Sequence, residues 1–172
     1  STFPGYWSNR LGTETAPISI EAADAPRSAR LLGYVNMKNV AWLTFDGVTM
    51  ATGGNVFHCE QCSNVTIRRS TLDGGARLAH ETVKVNQSQH IVIEDSDISG
   101  SYENAIDFVA VQHAIIRRNR IHAADDWCMY VKGGSAYILV EANEIFDCGT
   151  GGFTAGQGSG FEYMVTPWLH YE

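Results

Sequence analysis

Runs of lysine or arginine are missing from this chain. Its 12 basic residues are scattered and outnumbered by 19 acidic ones, for a net charge of −7. Nucleic acid and anionic membrane surfaces are therefore excluded as main partners. No apolar run reaches the roughly 18 residues of a membrane span. The opening residues, Ser1-Thr2-Phe3-Pro4-Gly5-Tyr6-Trp7, do not read as a signal peptide, which leaves a mature exported protein open. Proline is scarce, with 4 residues, and no Pro-rich linker divides the chain. Cysteine is equally scarce. Cys59-x-x-Cys62 has no second Cys-x-x-Cys or His-x-x-x-His to complete a zinc site. Cys59, Cys62, Cys128 and Cys148 are expected as buried thiols or as one disulfide. What is abundant is apolar residues, at 44%, and glycine, at 17 residues. The first fills a core in a 172-residue chain, and the second suits many tight turns.

A repeat organises the chain. Its copies begin at Leu43, Val65, Ile91, Ala114 and Ile138, each eight residues long. The shared template is apolar, any, apolar, any, any, Ser or Asn, any, apolar. The third position falls at Phe45, Ile67, Ile93, Ile116 and Val140, in steps of 22, 26, 23 and 24 residues. Strand periodicity turns the first and third positions inward together. The fourth and fifth carry the chain round a bend. Ser70, Ser96, Asn119 and Asn143 at the sixth suit that bend, and stacked on one another they form a ladder. A second strand precedes each copy, at 57–59, 83–85, 106–108, 129–131 and 153–155, so each coil has at least two strands. The fold expected is all-β, a parallel β-helix of about five to six coils. It forms a single domain over 1–172, with clear coils over 31–160, an N-terminal coil or cap over 1–30 and a C-terminal segment over 161–172.

Charge supports this register. The fourth position runs Arg68, Glu94, Arg117, Glu141, and the seventh ends Asp97, Arg120, Glu144. Both columns alternate in sign and read as structural, each adjacent pair adding roughly 0.2–1 kcal/mol. The second position runs Thr44, Thr66, Val92, Ile115, Leu139. Parity turns it outward, yet its last three members are apolar, so a loop, a chain end or another subunit is expected over that strip.

The coil template, together with His80-Glu81-Thr82-Val83-Lys84-Val85-Asn86, Asn104-Ala105-Ile106-Asp107-Phe108 and the run Asp125–Gly134, resembles right-handed parallel β-helices of the pectate-lyase-like superfamily. The resemblance covers roughly 31–160. It implies a secreted or periplasmic bacterial protein. It also implies more coils and a cap at each end, so a fragment or a multi-chain assembly is an expectation. Many members cleave acidic polysaccharides by β-elimination, with a Lys or Arg base and often Ca²⁺ against the uronate carboxylate.

Chemistry has to lie on an outer face, since the interior is filled. The outward column of the second strand is His58, Lys84, Asp107, Tyr130 and Thr154, and beside it run Glu60, Asn86, Val109, Lys132 and then Gly156 or Gln157. That mixture of unlike polar groups suits an acid/base site. Lys84 and Lys132 are candidate bases, if neighbours lower their pKa, and Asp107 is the third catalytic candidate. His58, Glu60, Asn86, Tyr130, Gln157 and Trp168 are candidate contacts to a polysaccharide or oligosaccharide. Glu81, Asp107, Asp125 and Asp126 are candidate Ca²⁺ ligands. The competing structural readings are an inter-coil ion pair for Lys84 and Asp107, and a turn before Trp127 for Asp125-Asp126. At the level of function, a non-catalytic saccharide-binding module or a structural module competes with a lyase.

Overall fold

A computed structural model describes residues 6–52, 54–160 and 162. Within them the chain winds through three parallel sheets, visiting each once per coil. The first sheet stacks Tyr6–Ser8, Val35–Lys38, Phe57–Glu60, Val83–Asn86, Ile106–Val109, Trp127–Lys132 and Gly151–Ala155. The second stacks Ile18–Glu21, Ala41–Asp46, Ser63–Arg68, Gln89–Glu94, Gln112–Arg117 and Ala136–Glu141. The third stacks Ala29–Leu32, Val48–Ala51, Thr71–Asp73, Asp97–Ser101, Arg120–Ala124 and Glu144–Cys148. Residues 6–32 thus add a coil ahead of the clear repeats. The count of strands per coil is three rather than the minimum of two read from sequence. The end of each eight-residue copy begins a strand of its own, beyond a sharp bend.

That bend has one cause repeated in five successive coils. The fifth template position holds a left-handed backbone at Gly47, Arg69, Asp95, Arg118 and Ala142. The sixth-position side chain then accepts the backbone N–H of the preceding coil. Val48 donates to Ser70 Oγ, Ser70 to Ser96 Oγ, Ser96 to Asn119 Oδ1 and Asn119 to Asn143 Oδ1, at 2.9–3.2 Å. Each bend thereby satisfies amides that the sheets cannot reach. Inside, Phe45, Ile67, Ile93 and Ile116 stack in register and are fully buried, with Phe57, Val83, Ile106 and Met129 facing them from the first sheet. Outside, Arg68 bonds Asp46, and Arg117 bonds Glu94, both at 2.8 Å, while Arg120 reaches Glu144 at 2.9 Å and Asp97 at 3.2 Å. The seventh-position column is a continuous ladder, and the fourth-position column forms two separate inter-coil pairs, Asp46–Arg68 and Glu94–Arg117.

The cysteines form two disulfides, Cys59–Cys62 and Cys128–Cys148, where the sequence pointed to thiols or a single bridge. The second pair was hidden by its spacing. Their sequence separation is 20, just short of a coil, because Cys148 closes a third-sheet strand and Cys128 is the second residue of a first-sheet one across the corner. Their Cα atoms lie 5.4 Å apart. The strip Val92, Ile115, Leu139 is uncovered by any described residue. Val92 and Ile115 are half-buried, and Leu139 is 47% exposed.

Candidate functional site

Strand register brings the expected column together on the outer face of the first sheet. His58, Lys84, Asp107, Tyr130 and Thr154 are successive cross-strand neighbours. Glu60, Asn86, Val109 and Lys132 run beside them. This face is not open along its length. The Gly158-Ser159-Gly160 stretch folds back along it and closes a cleft of about 220 Å³ with Lys84, Asn86, Val109 and Lys132. Gly133, at φ +63°, permits the close approach. A Cβ there would sit 2.8 Å from Val109 and 3.1 Å from Ser159 Oγ.

The cleft is built around a buried carboxylate. Asp107 is 1% exposed. Lys84 Nζ donates to its Oδ2 and, at 3.2 Å, to Glu81 Oε1. Lys132 Nζ lies 3.8 Å from the same Oδ2 and 4.1 Å over the Tyr130 ring. Burial alone would pull the Lys84 pKa down, but Asp107 and Glu81 outweigh it and hold it above the ordinary lysine value. The condition set for Lys84 as a base, a pKa lowered by its neighbours, is not met, and the two carboxylates hold it as an ammonium. Oδ1 of Asp107 and Oδ1 of Asn86 are buried with no hydrogen-bond partner among the described residues. Both are acceptors awaiting a donor.

His58 sits at the end of the column. Its Nδ1 lies 3.0 Å from Asn36 Oδ1 and 3.0 Å from the Tyr34 hydroxyl, and Nε2 lies 3.4 Å from Asn86 Nδ2. The Asn36 and Asn86 partners assign the proton to Nδ1 in a neutral ring. Burial, assisted by Lys84, holds the His58 pKa below its ordinary value against the opposing pull of Glu60. Glu60 itself is taken by Lys38 at 2.8 Å. Gln157 is exposed and does not line the cleft, and Trp168 lies outside the described residues.

The four expected metal ligands do not converge. Asp125 pairs with Arg77, which also holds Asp147 at 2.7 Å. Asp126 uses its backbone to receive Thr150, as a turn residue does. Glu81 and Asp107 do approach one another's partner, but the ammonium of Lys84 lies between them, in the place a cation would take. The residues present do not fit Ca²⁺. The one His/carboxylate cluster with ligand spacing among the described residues is His80, Glu81 and Glu103. There each ring nitrogen of His80 already meets a carboxylate, Glu81 at 2.8 Å and Glu103 at 3.0 Å.

Sequence reasoning missed a second feature. On the second sheet, Trp42, Asn64, His90, His113 and Tyr137 each hold a left-handed backbone, one per coil. The kink turns their side chains out beside the apolar strip. The rings of His90 and His113 stack at 5.2 Å and 10°, and those of His113 and Tyr137 at 4.7 Å and 6°. The available signal was that these five residues all immediately precede the repeat template.

Stacked coils of three parallel sheets with a Ser/Asn ladder define a parallel β-solenoid. The family model described as the right handed beta helix region matches residues 34–165, more than half of the chain, and the protein belongs to that family. Comparison with curated proteins and with solved structures finds no match.

Proposed function

We propose that this protein binds an acidic saccharide, seating one carboxylate-bearing sugar in the first-sheet cleft. The observation that carries this reading is the charge arrangement. Two ammonium groups, Lys84 and Lys132, line the cleft, and no carboxylate does, because Asp107 and Glu81 lie buried behind them. A sugar carboxylate takes the ammonium donors. Asn86 lines the cleft beside them and offers its side-chain amide to the sugar hydroxyls. The cleft has room for one sugar ring, so a chain end fits better than the middle of a polymer. Two disulfides are at home in an oxidising compartment, which supports an exported protein meeting saccharides outside the cytosol.

Titration calorimetry with galacturonate, glucuronate and mannuronate oligomers tests this. Binding of at least one is expected, weakened by salt and lost in Lys132→Met, with no heat from glucose oligomers. Equal binding by Lys132→Met and the native protein removes the proposal. A lyase reading has one specific observation behind it. Lys132, at 3.8 Å, is less tightly engaged by Asp107 than Lys84 and is the base such chemistry would use. Appearance of ultraviolet-absorbing unsaturated uronate, abolished by Lys132→Met, distinguishes catalysis from binding.

A further inference from the structure

A groove of about 580 Å³ runs along the second sheet and is larger than the first-sheet cleft. Its floor is Thr66, Val92, Ile115 and Leu139, and one wall is the column His90, His113, Tyr137. No Lys, Arg, Asp or Glu lines it. The rings turn their faces to one another, so each of these three coils presents a ring edge beside an apolar floor residue, Val92, Ile115 or Leu139. The same pair of surfaces therefore recurs over three successive coils, while Trp42 with Thr44 and Asn64 with Thr66 hold the equivalent places in the two coils before them.

We infer that this groove binds an extended neutral oligosaccharide, about one sugar per coil. Three properties select that occupant. The uncharged lining discriminates against uronates, the ligands of the opposite chemistry proposed for the first-sheet cleft. A pyranose carries an apolar C–H face and a rim of hydroxyls, which matches floor and ring edge together. The repeat decides against a peptide strand. Coils rise by about 4.8 Å, close to the advance of one sugar in an extended chain, whereas an extended peptide repeats a side chain on one face only every roughly 6.7 Å. A second copy of the chain would bury the polar ring edges that run beside the strip, which sugar hydroxyls instead satisfy.

Native protein titrated with cellohexaose, xylohexaose and mannohexaose, followed by calorimetry and by histidine ring NMR signals, tests the inference. At least one should bind and shift the His90 and His113 resonances. His113→Ala and Ile115→Asp should each weaken it by roughly tenfold, about the loss of one stacking or hydrogen-bonding contact. Lys132→Met should leave this binding unchanged, and His113→Ala should leave uronate binding unchanged, so the two sites stand or fall separately. Failure of all three oligosaccharides to bind overturns the inference. So does loss of binding in Lys132→Met, which would move it to the first-sheet cleft. Concentration-dependent dimerisation abolished by Ile115→Asp would also overturn it, assigning the groove to a second copy.

Discussion

Lys84 and Asp107 face each other across one coil step, and the lysine ammonium donates to a carboxylate that is almost wholly buried. The pair is structural in the sense that removing one member strands the other in low dielectric. Lys84→Met leaves Asp107 with only the looser Lys132 at 3.8 Å. A loss of about 3 kcal/mol is expected in urea unfolding. Lys132→Met, whose amine is one ring contact and one long ion pair, should cost less than about 1 kcal/mol. Equal losses for the two would contradict this division of labour.

Asn119 is the most committed rung of the corner ladder. Its Oδ1 accepts from Ser96 N, and its Nδ2 donates to Ile93 O at 2.9 Å. Asn119→Ala strands two buried backbone groups and should cost about 3 kcal/mol. Asn119→Ser should recover part of it, because Ser70 and Ser96 already perform the acceptor role at equivalent positions. Thermal unfolding of the three proteins gives the order native, Ser, Ala; a Ser variant no better than Ala would show that the acceptor is not what matters.

The parts of this fold legible beforehand are those enforced by period. Phe45, Ile67, Ile93, Ile116 and Val140 had to share a face because a slip of one residue would turn them all outward. The ladder from Ser70 to Asn143 was legible for the same reason. The column from Trp42 to Tyr137 was not, since a left-handed residue within a strand breaks the alternation from which facing is read. Register placed Lys84, Asp107 and Lys132 together. It could not tell a base from a locked ammonium, because that depends on burial, and one wall of the cleft is Gly158–Gly160, from the far end of the chain.

Cys128 and Cys148 tie the corner between two coils, at a sequence separation of 20. Closing a loop of that size removes entropy from the unfolded chain, for about 3 kcal/mol of stability. The double variant Cys128→Ser/Cys148→Ser should lower the guanidinium midpoint accordingly. Cys59 and Cys62 close a loop of 3 residues' separation, so the matching double variant should lose less. The reverse order would mean that strain or unfolded-state structure, and not loop closure, governs these bridges.

His58 should make stability fall in mild acid. Burial disfavours its imidazolium, so its folded pKa lies below the unfolded value of about 6.5. Below that value the unfolded chain takes up a proton that the fold resists. The contribution is therefore fully present above about pH 6.5 and is lost as pH drops through the folded pKa. The effect is read as a difference between the native protein and a variant. His58→Gln keeps an amide able to bond Asn36 or Asn86 but has no proton to gain. Urea midpoints at about pH 7.5 and about pH 5 should fall further for the native protein than for His58→Gln. Parallel falls would place a protonated His58 comfortably in the fold, and with it a charged group at the edge of the cleft.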